Sequence, residues 1–341
     1  MDPPPLKQGT SATVQAVPHF DMDGSLVAIV LVKERFVASR HGVVSRAGGA
    51  EIHIADEPWD PDAPETSSIK YPSDLCLRKP STDVVVVGSA MAPYRQPVRE
   101  LDVRVRVGPV QKSLRVTGPR AWYRAAVGRM KLTEPQPFES IALKWEHAWG
   151  GADYESDPEH PIEEPRNPNG CGLAREPEEL DGKQGPSVED PEDRIDTHRS
   201  RPKPAGVGAI GRHWEPRRRY AGTYDEAWME ERMPLLPLDF DERFNQVAAP
   251  EMITPQPLRG GERVEVNGMH EEGPFAFELP SLRFFVGLQT HEKMKEHPPQ
   301  LDTVLVEPNA RAVELTWRSV VKLPRWTHQM RFIQVHEKRR V

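Results

Sequence analysis

The chain has 341 residues, 37% of them hydrophobic and 28% charged, and a net charge of −7. That balance supports a folded core and excludes a disordered chain, and it gives no general attraction to nucleic acid or to an anionic membrane. With 36 prolines and 24 glycines, long helices are excluded and short strands joined by turn-rich loops are expected.

The start, MDPPPLKQGTSATVQAVPHF, has no basic stretch leading into an apolar run, so no secretory signal is expected and residues 1–17 read as a tail. The first strand signal is SLVAIVLVKERFV, Ser25 to Val37, a buried run that turns charged toward its end. SRAGGAEIHIADEP reads as a turn plus a short strand. STDVVVVGSAMAP, four valines between turn residues, reads as a central strand. In LDVRVRVG, Leu101, Val103, Val105 and Val107 alternate with Asp102, Arg104 and Arg106, which predicts one buried and one wet face. GPVQK then returns the chain into SLRVTG as an antiparallel hairpin.

From 135 to 260 the pattern changes to a loop-rich middle, dense in Pro, Gly and acidic residues, in which 174–202 reads as the most mobile part. Within it TYDEAWMEERM is the best short helix, with Thr223 and Glu226 at capping-box spacing and Pro234 as a stop. DERFNQVA reads as a further turn or two. Strands resume from 261 with ERVEVNGM, PFAFELP, LRFFVGLQ, DTVLVEP and RAVELTWRSVVKL, the last two joined through Pro308-Asn309. The expected fold is mainly β: antiparallel sheets packed as a sandwich-like core, a long Pro/Gly-rich middle, and few short helices. The whole of 18–335 reads as one domain, β-rich over 18–134 and 261–335, with 336–341 as a closing tail.

The chemistry-bearing patterns are weak. PAGVGAIGRHW holds a G-x-G-x-x-G at Gly206, Gly208 and Gly211, but RSRPKPA before it cannot be a central strand and Pro216 breaks any helix after it. A dinucleotide loop is therefore excluded, and the glycines read as suppliers of special backbone angles. KWEHAWGGADYESD gathers Glu146, His147 and Asp153, candidates for a metal-dependent hydrolase site, yet without the second histidine such sites need. Trp145 and Trp149 there read as packed and Gly150-Gly151 as a turn. Asp239 and Asp241 in DFDERF read as capping acids. Cys76 and Cys171 stand alone, which suits a reducing, cytoplasmic setting and offers neither disulfide nor zinc knuckle. The basic runs Arg217-Arg218-Arg219 and Lys338-Arg339-Arg340 read as solvated surface. No cofactor, metal or catalytic residue is expected. Trp214, Arg217, Tyr220, Tyr224 and Trp228 form an aromatic and arginine-bearing cluster of the residue types that anchor protein interfaces, or that pin a loop onto a sheet.

An ordered set of phrases gives a further reading: SSIKYPSDLCLRKPSTDVVVVGSAMAP, HAWGG, RNPNGCG, PAGVGAIGRHWEPRRRYAGTYDEAW and LPLDFDERFNQVAAPEM, continuing through LRGGERVEVNGM to DTVLVEPNARAVELTWRS. From about residue 18 to 335 the chain resembles a bacterial domain-of-unknown-function family found in type VI secretion loci, near pentapeptide-repeat proteins and spike-tip toxins. The resemblance implies an adaptor, or effector chaperone. Its partners would be a toxin, held through its spike-tip N-terminal region, and the secretion spike protein. It assigns no catalytic residue. A structural component of the secretion assembly is the other non-enzymatic reading.

Overall fold

Alternating valines and long apolar runs become strands of three sheets in the structure, a computed structural model that describes residues 5–126, 129–324 and 329–338. The central sheet runs Thr13–Phe20, Leu26–Ala38, Ala312–Lys322, Gln300–Glu307, Asp83–Val86, with Val44–Arg46 added beside Leu26–Ala38. It is antiparallel except that Asp83–Val86 runs parallel to Gln300–Glu307. The second sheet is antiparallel throughout: Val188–Glu189, Val110–Thr117, Glu100–Val107, Arg263–Asn267, Phe275–Glu278. The third joins the two ends of the described chain, in the order Leu6–Gly9, Met330–Glu337, Phe284–Thr290, Met294–Glu296.

The hairpin expected from LDVRVRVG is present, with Val103, Val105 and Val107 buried and Arg104 and Arg106 exposed. The valines join Ala28, Val30 and Val32 of the long central strand in one core to which all three sheets contribute. The opposite face of that strand is buried as well. There Val27, Ile29 and Leu31 pack under Leu75 and Leu77, which is why the run carries no alternation. Full burial of one such side chain stabilises by roughly 1.5–3 kcal/mol, so the two-sided strand is the main anchor of the fold.

Several expectations about the ends and the middle are corrected. Residues 6–9 and 13–17 are not a tail: Leu6–Gly9 pairs parallel with Met330–Glu337, and Thr13–Phe20 is the edge strand, where Pro18 is tolerated because its missing N–H breaks no ladder. The closing tail is corrected too: Met330–Glu337 is a strand through His336 and Glu337, with Ile333 and Val335 fully buried at strand spacing, while Arg339 and Arg340 lie outside the described residues. SRAGGAEIHIADEP begins in the strand Val44–Arg46, runs without strand through Glu51–Ile54, and closes on the short strand Glu57–Pro58, which pairs with Ile69–Tyr71. The 174–202 segment is fastened by Leu180, Val188 and Ile195, and by a buried ion pair of Arg120 with Glu189 at 2.8 Å.

Two tryptophans organise the middle. Trp145 and Trp214 meet edge to face at 5.8 Å, and Trp145 Nε1 donates to Ala209 O at 3.0 Å. A Cβ on Gly206 would lie 2.8 Å from the Trp145 ring, and one on Gly211 would lie 2.8 Å from the Trp214 ring. Neither glycine has a positive φ. The glycines are there for close approach to indoles, which corrects the backbone-angle reading. Asn167, wholly buried, donates to Trp145 O at 2.9 Å and Trp149 O at 3.1 Å. HAWGG, RNPNGCG and PAGVGAIGRHW thus converge on one packed knot.

Under the central sheet lies a layer of buried charge. Lys33, Thr316, Thr303 and Asp83 stand in one cross-strand row. Asp74 accepts from Lys33 Nζ at 2.9 Å and from Thr316 Oγ1 at 3.3 Å. Lys79 Nζ donates to Asp83 and Thr303, each at 2.8 Å, and Arg318 pairs with Asp302 and donates to Cys76 O. Buried ions are tolerated only when paired, so these bonds fix how the 74–83 segment sits on the sheet. Among the described residues no helix is long and apolar enough to cross a membrane.

Candidate protein-binding surface

The five residues of the aromatic cluster divide into an inner and an outer set. Trp214 is 1% exposed and Arg217 is 4% exposed. Arg217 donates to Phe244 O at 2.9 Å and to Ile210 O at 2.7 Å, and burial pushes its guanidinium down to about 10. These two are interior residues, and a surface role does not extend to them. Tyr220 is half-buried beneath the Arg243 guanidinium, 4.2 Å from the ring centre. Tyr224, 52% exposed, meets Trp228 edge to face at 4.7 Å, and Trp228 Nε1 donates to Leu235 O at 2.8 Å.

Tyr224 and Trp228 belong to a lobe, residues 221–240, built around the helix Glu226–Glu231. The cap is not Thr223 but Asp225, whose carboxylate accepts from Trp228 N at 2.9 Å. Thr223 donates instead to Asp239, through N at 2.9 Å and Oγ1 at 2.8 Å. Asp241 caps the short turn Glu242–Asn245, as its spacing implied. Arg232 ties the lobe to the body by donating to Leu236 O at 2.8 Å and Met22 O at 2.5 Å. No residue of the helix is buried.

Beside exposed acids such as Glu226, Glu230 and Glu231, the lobe shows large apolar side chains to solvent. Met229 is 61% exposed, Met233 62% and Leu238 80%, beside Tyr224. These three were missed in the sequence. Their signal was faint: MEERMPLLPLDF places Met and Leu in a stretch too short and proline-broken to bury them all. Large apolar side chains left exposed within one short segment are candidates for contact with other molecules. The flexible thioether of Met suits surfaces that accept varied shapes.

The hydrolase candidates are each committed elsewhere. Glu146 accepts from Ser68 N at 2.9 Å and Ser68 Oγ at 2.6 Å. His147 Nδ1 pairs with Ala142 O at 2.8 Å, and burial holds its imidazole below the usual range. Asp153 accepts from Ser156 N and Arg175 Nε, each at 2.9 Å, and the Ser156 backbone bond leads in pushing it down to about 2. Among the described residues no group of three or more His, Cys, Asp or Glu could hold a metal ion. Arg218 and Arg219 pair with Glu163 and Glu215, which leaves no phosphate cradle in that basic run.

The family described as "Uncharacterized protein conserved in bacteria (DUF2169)" matches residues 23–318. No curated protein and no solved structure matches the chain.

Proposed function

The chain belongs to this bacterial family, and we propose that it is a non-enzymatic adaptor of type VI secretion that binds a toxin in the producing cell and passes it to the secretion spike. The observation that carries the reading is the lobe with its exposed Tyr224, Met229, Met233 and Leu238, carried on a body of packed β-sheets. An adaptor needs an apolar contact surface held in place by a scaffold that does not itself rearrange, because preorganised surfaces lose less entropy on binding. The resemblance of its phrases to the adaptor family is what suggests a toxin, held through its spike-tip region, as the class of cargo. The lobe supplies the means.

Binding of this kind must also be reversible. A small apolar patch without buried charge gives moderate affinity and a dissociation rate that delivery can exploit. Co-expression of the chain with the toxin encoded beside it, followed by affinity purification of one and detection of the other, tests the proposal. A complex in which the toxin is soluble only with its partner is the expected result. Clean separation, with the toxin equally soluble alone, overturns it.

A further inference from the structure

We propose that a cleft at the junction of the three sheets binds a short peptide segment of a partner protein, one that carries acidic side chains beside apolar ones. The cleft has a volume of about 860 Å³, at the upper part of the range that houses drug-sized ligands. Its walls are the 256–260 loop leading into Arg263–Asn267, the 281–284 link into Phe284–Thr290, and the 298–301 segment entering Gln300–Glu307.

The floor is apolar and fixed. Phe284 and Trp317, each 4% exposed, lock edge to face at 4.9 Å. Two of the walls are pinned to each other through Thr82, whose Oγ1 donates to Leu301 O at 2.6 Å and accepts from Leu258 N at 2.9 Å. A cleft held this way is already formed before anything enters it.

The charge is one-sided. Arg259, Arg283 and Lys338 line the cleft, and among the described residues no acidic one does. Lys338 is paired with Glu296 at 2.5 Å, whereas Arg259 and Arg283 are exposed and have no ion-pair partner among the described residues. Two guanidiniums without an acid partner, in the lining of one cleft with an apolar floor, leave that cleft cationic. Guanidinium forks recognise carboxylates in particular. Because Pro257, Pro298 and Pro299 contribute no N–H, the walls are poorly suited to strand addition, and side chains must do the recognising. A single small acid would leave the apolar floor uncovered. A peptide that spaces carboxylates around apolar side chains fills both requirements.

This inference goes beyond the adaptor reading, since the cleft and the lobe have no residue in common and each can fail without the other. The test is panning of a displayed library of random dodecapeptides on the full chain. Selected peptides are then labelled and titrated by fluorescence anisotropy. The expected result is enrichment of peptides with Asp or Glu next to Leu, Ile or Phe, whose affinity falls roughly tenfold for R259E/R283E and by a smaller factor for R259Q/R283Q. Both arginines are exposed, so the variants keep the wild-type thermal midpoint. Failure to select any peptide, selection of peptides without acidic residues, or unchanged affinity for R259E/R283E overturns the proposal.

Discussion

Truncating the lobe without disturbing its fold separates contact from structure. Leu238 is 80% exposed and Met229 61% exposed, and neither side chain makes a hydrogen bond that the lobe depends on. Full burial of a Leu or Met side chain is worth roughly 1.5–3 kcal/mol, so a partner that covers both would gain about 2–4 kcal/mol from them. The Met229→Ser/Leu238→Ser double variant should therefore bind its partner roughly 30- to 1000-fold more weakly by isothermal titration. The cap from Asp225, the Trp228–Leu235 bond and the Arg232 tether all remain, so the urea midpoint should stay at its wild-type value. Wild-type affinity in the double variant would refute the lobe as the contact surface. A lowered midpoint would show that the two side chains support the fold and would require Tyr224→Ser as the replacement test.

Three further outcomes probe the scaffold. Gly206→Ala should cost about 1–3 kcal/mol in urea unfolding, because its Cβ would lie 2.8 Å from Trp145, while Gly208→Ala, at 3.6 Å, should cost far less. Lys79→Met leaves the fully buried Asp83 uncompensated and should cost about 3–5 kcal/mol, part of which returns on adding Asp83→Asn; equal midpoints for the single and double variants would contradict the pairing. Burial holds His147, His213, His270 and His297 below the usual imidazole range. The unfolded chain then takes up protons first as pH falls below about 6.5, so stability is lost in that window, and His147→Gln should make the thermal midpoint measurably less pH-dependent there.

Strand positions were largely readable because burial on one or both faces leaves a period that local sequence cannot hide. Val103, Val105 and Val107 carried it in full. The end of the central strand did not. SLVAIVLVKERFV turns charged at Lys33, which ordinarily means the chain is leaving the core, yet Lys33 and Glu34 are each 2% exposed. For Lys33 the partner that makes this possible, Asp74, lies 41 residues further on, and no local window contains both. The same blindness affected the candidate site. Trp214 and Tyr224 are alike as residue types in a loop, but one is buried against Trp145 and the other is half in solvent. Only the glycines at 206 and 211 distinguish them, by making room for indoles, and that purpose is not visible in their spacing.

The scaffold and the contact surfaces follow different physical rules, and that difference supports separating them by function. The Trp145–Trp214–Asn167 knot and the charge layer under the central sheet are closed by bonds within the chain: Trp145, Asn167, Lys33 and Lys79 each donate to a buried acceptor of the same region, and loss of one partner strands the other. Such regions hold one arrangement. Met229, Met233 and Leu238 on the lobe, and Arg259 and Arg283 at the cleft, have no such closure among the described residues. An apolar side chain left in water and an arginine left without an acid cost little individually, but they gain only when something outside covers them. One surface is apolar and the other cationic, so a single partner that used both would need an apolar patch and an acidic, apolar segment. Salt distinguishes the two contacts: raising ionic strength should weaken the cleft contact and leave the lobe contact nearly unchanged.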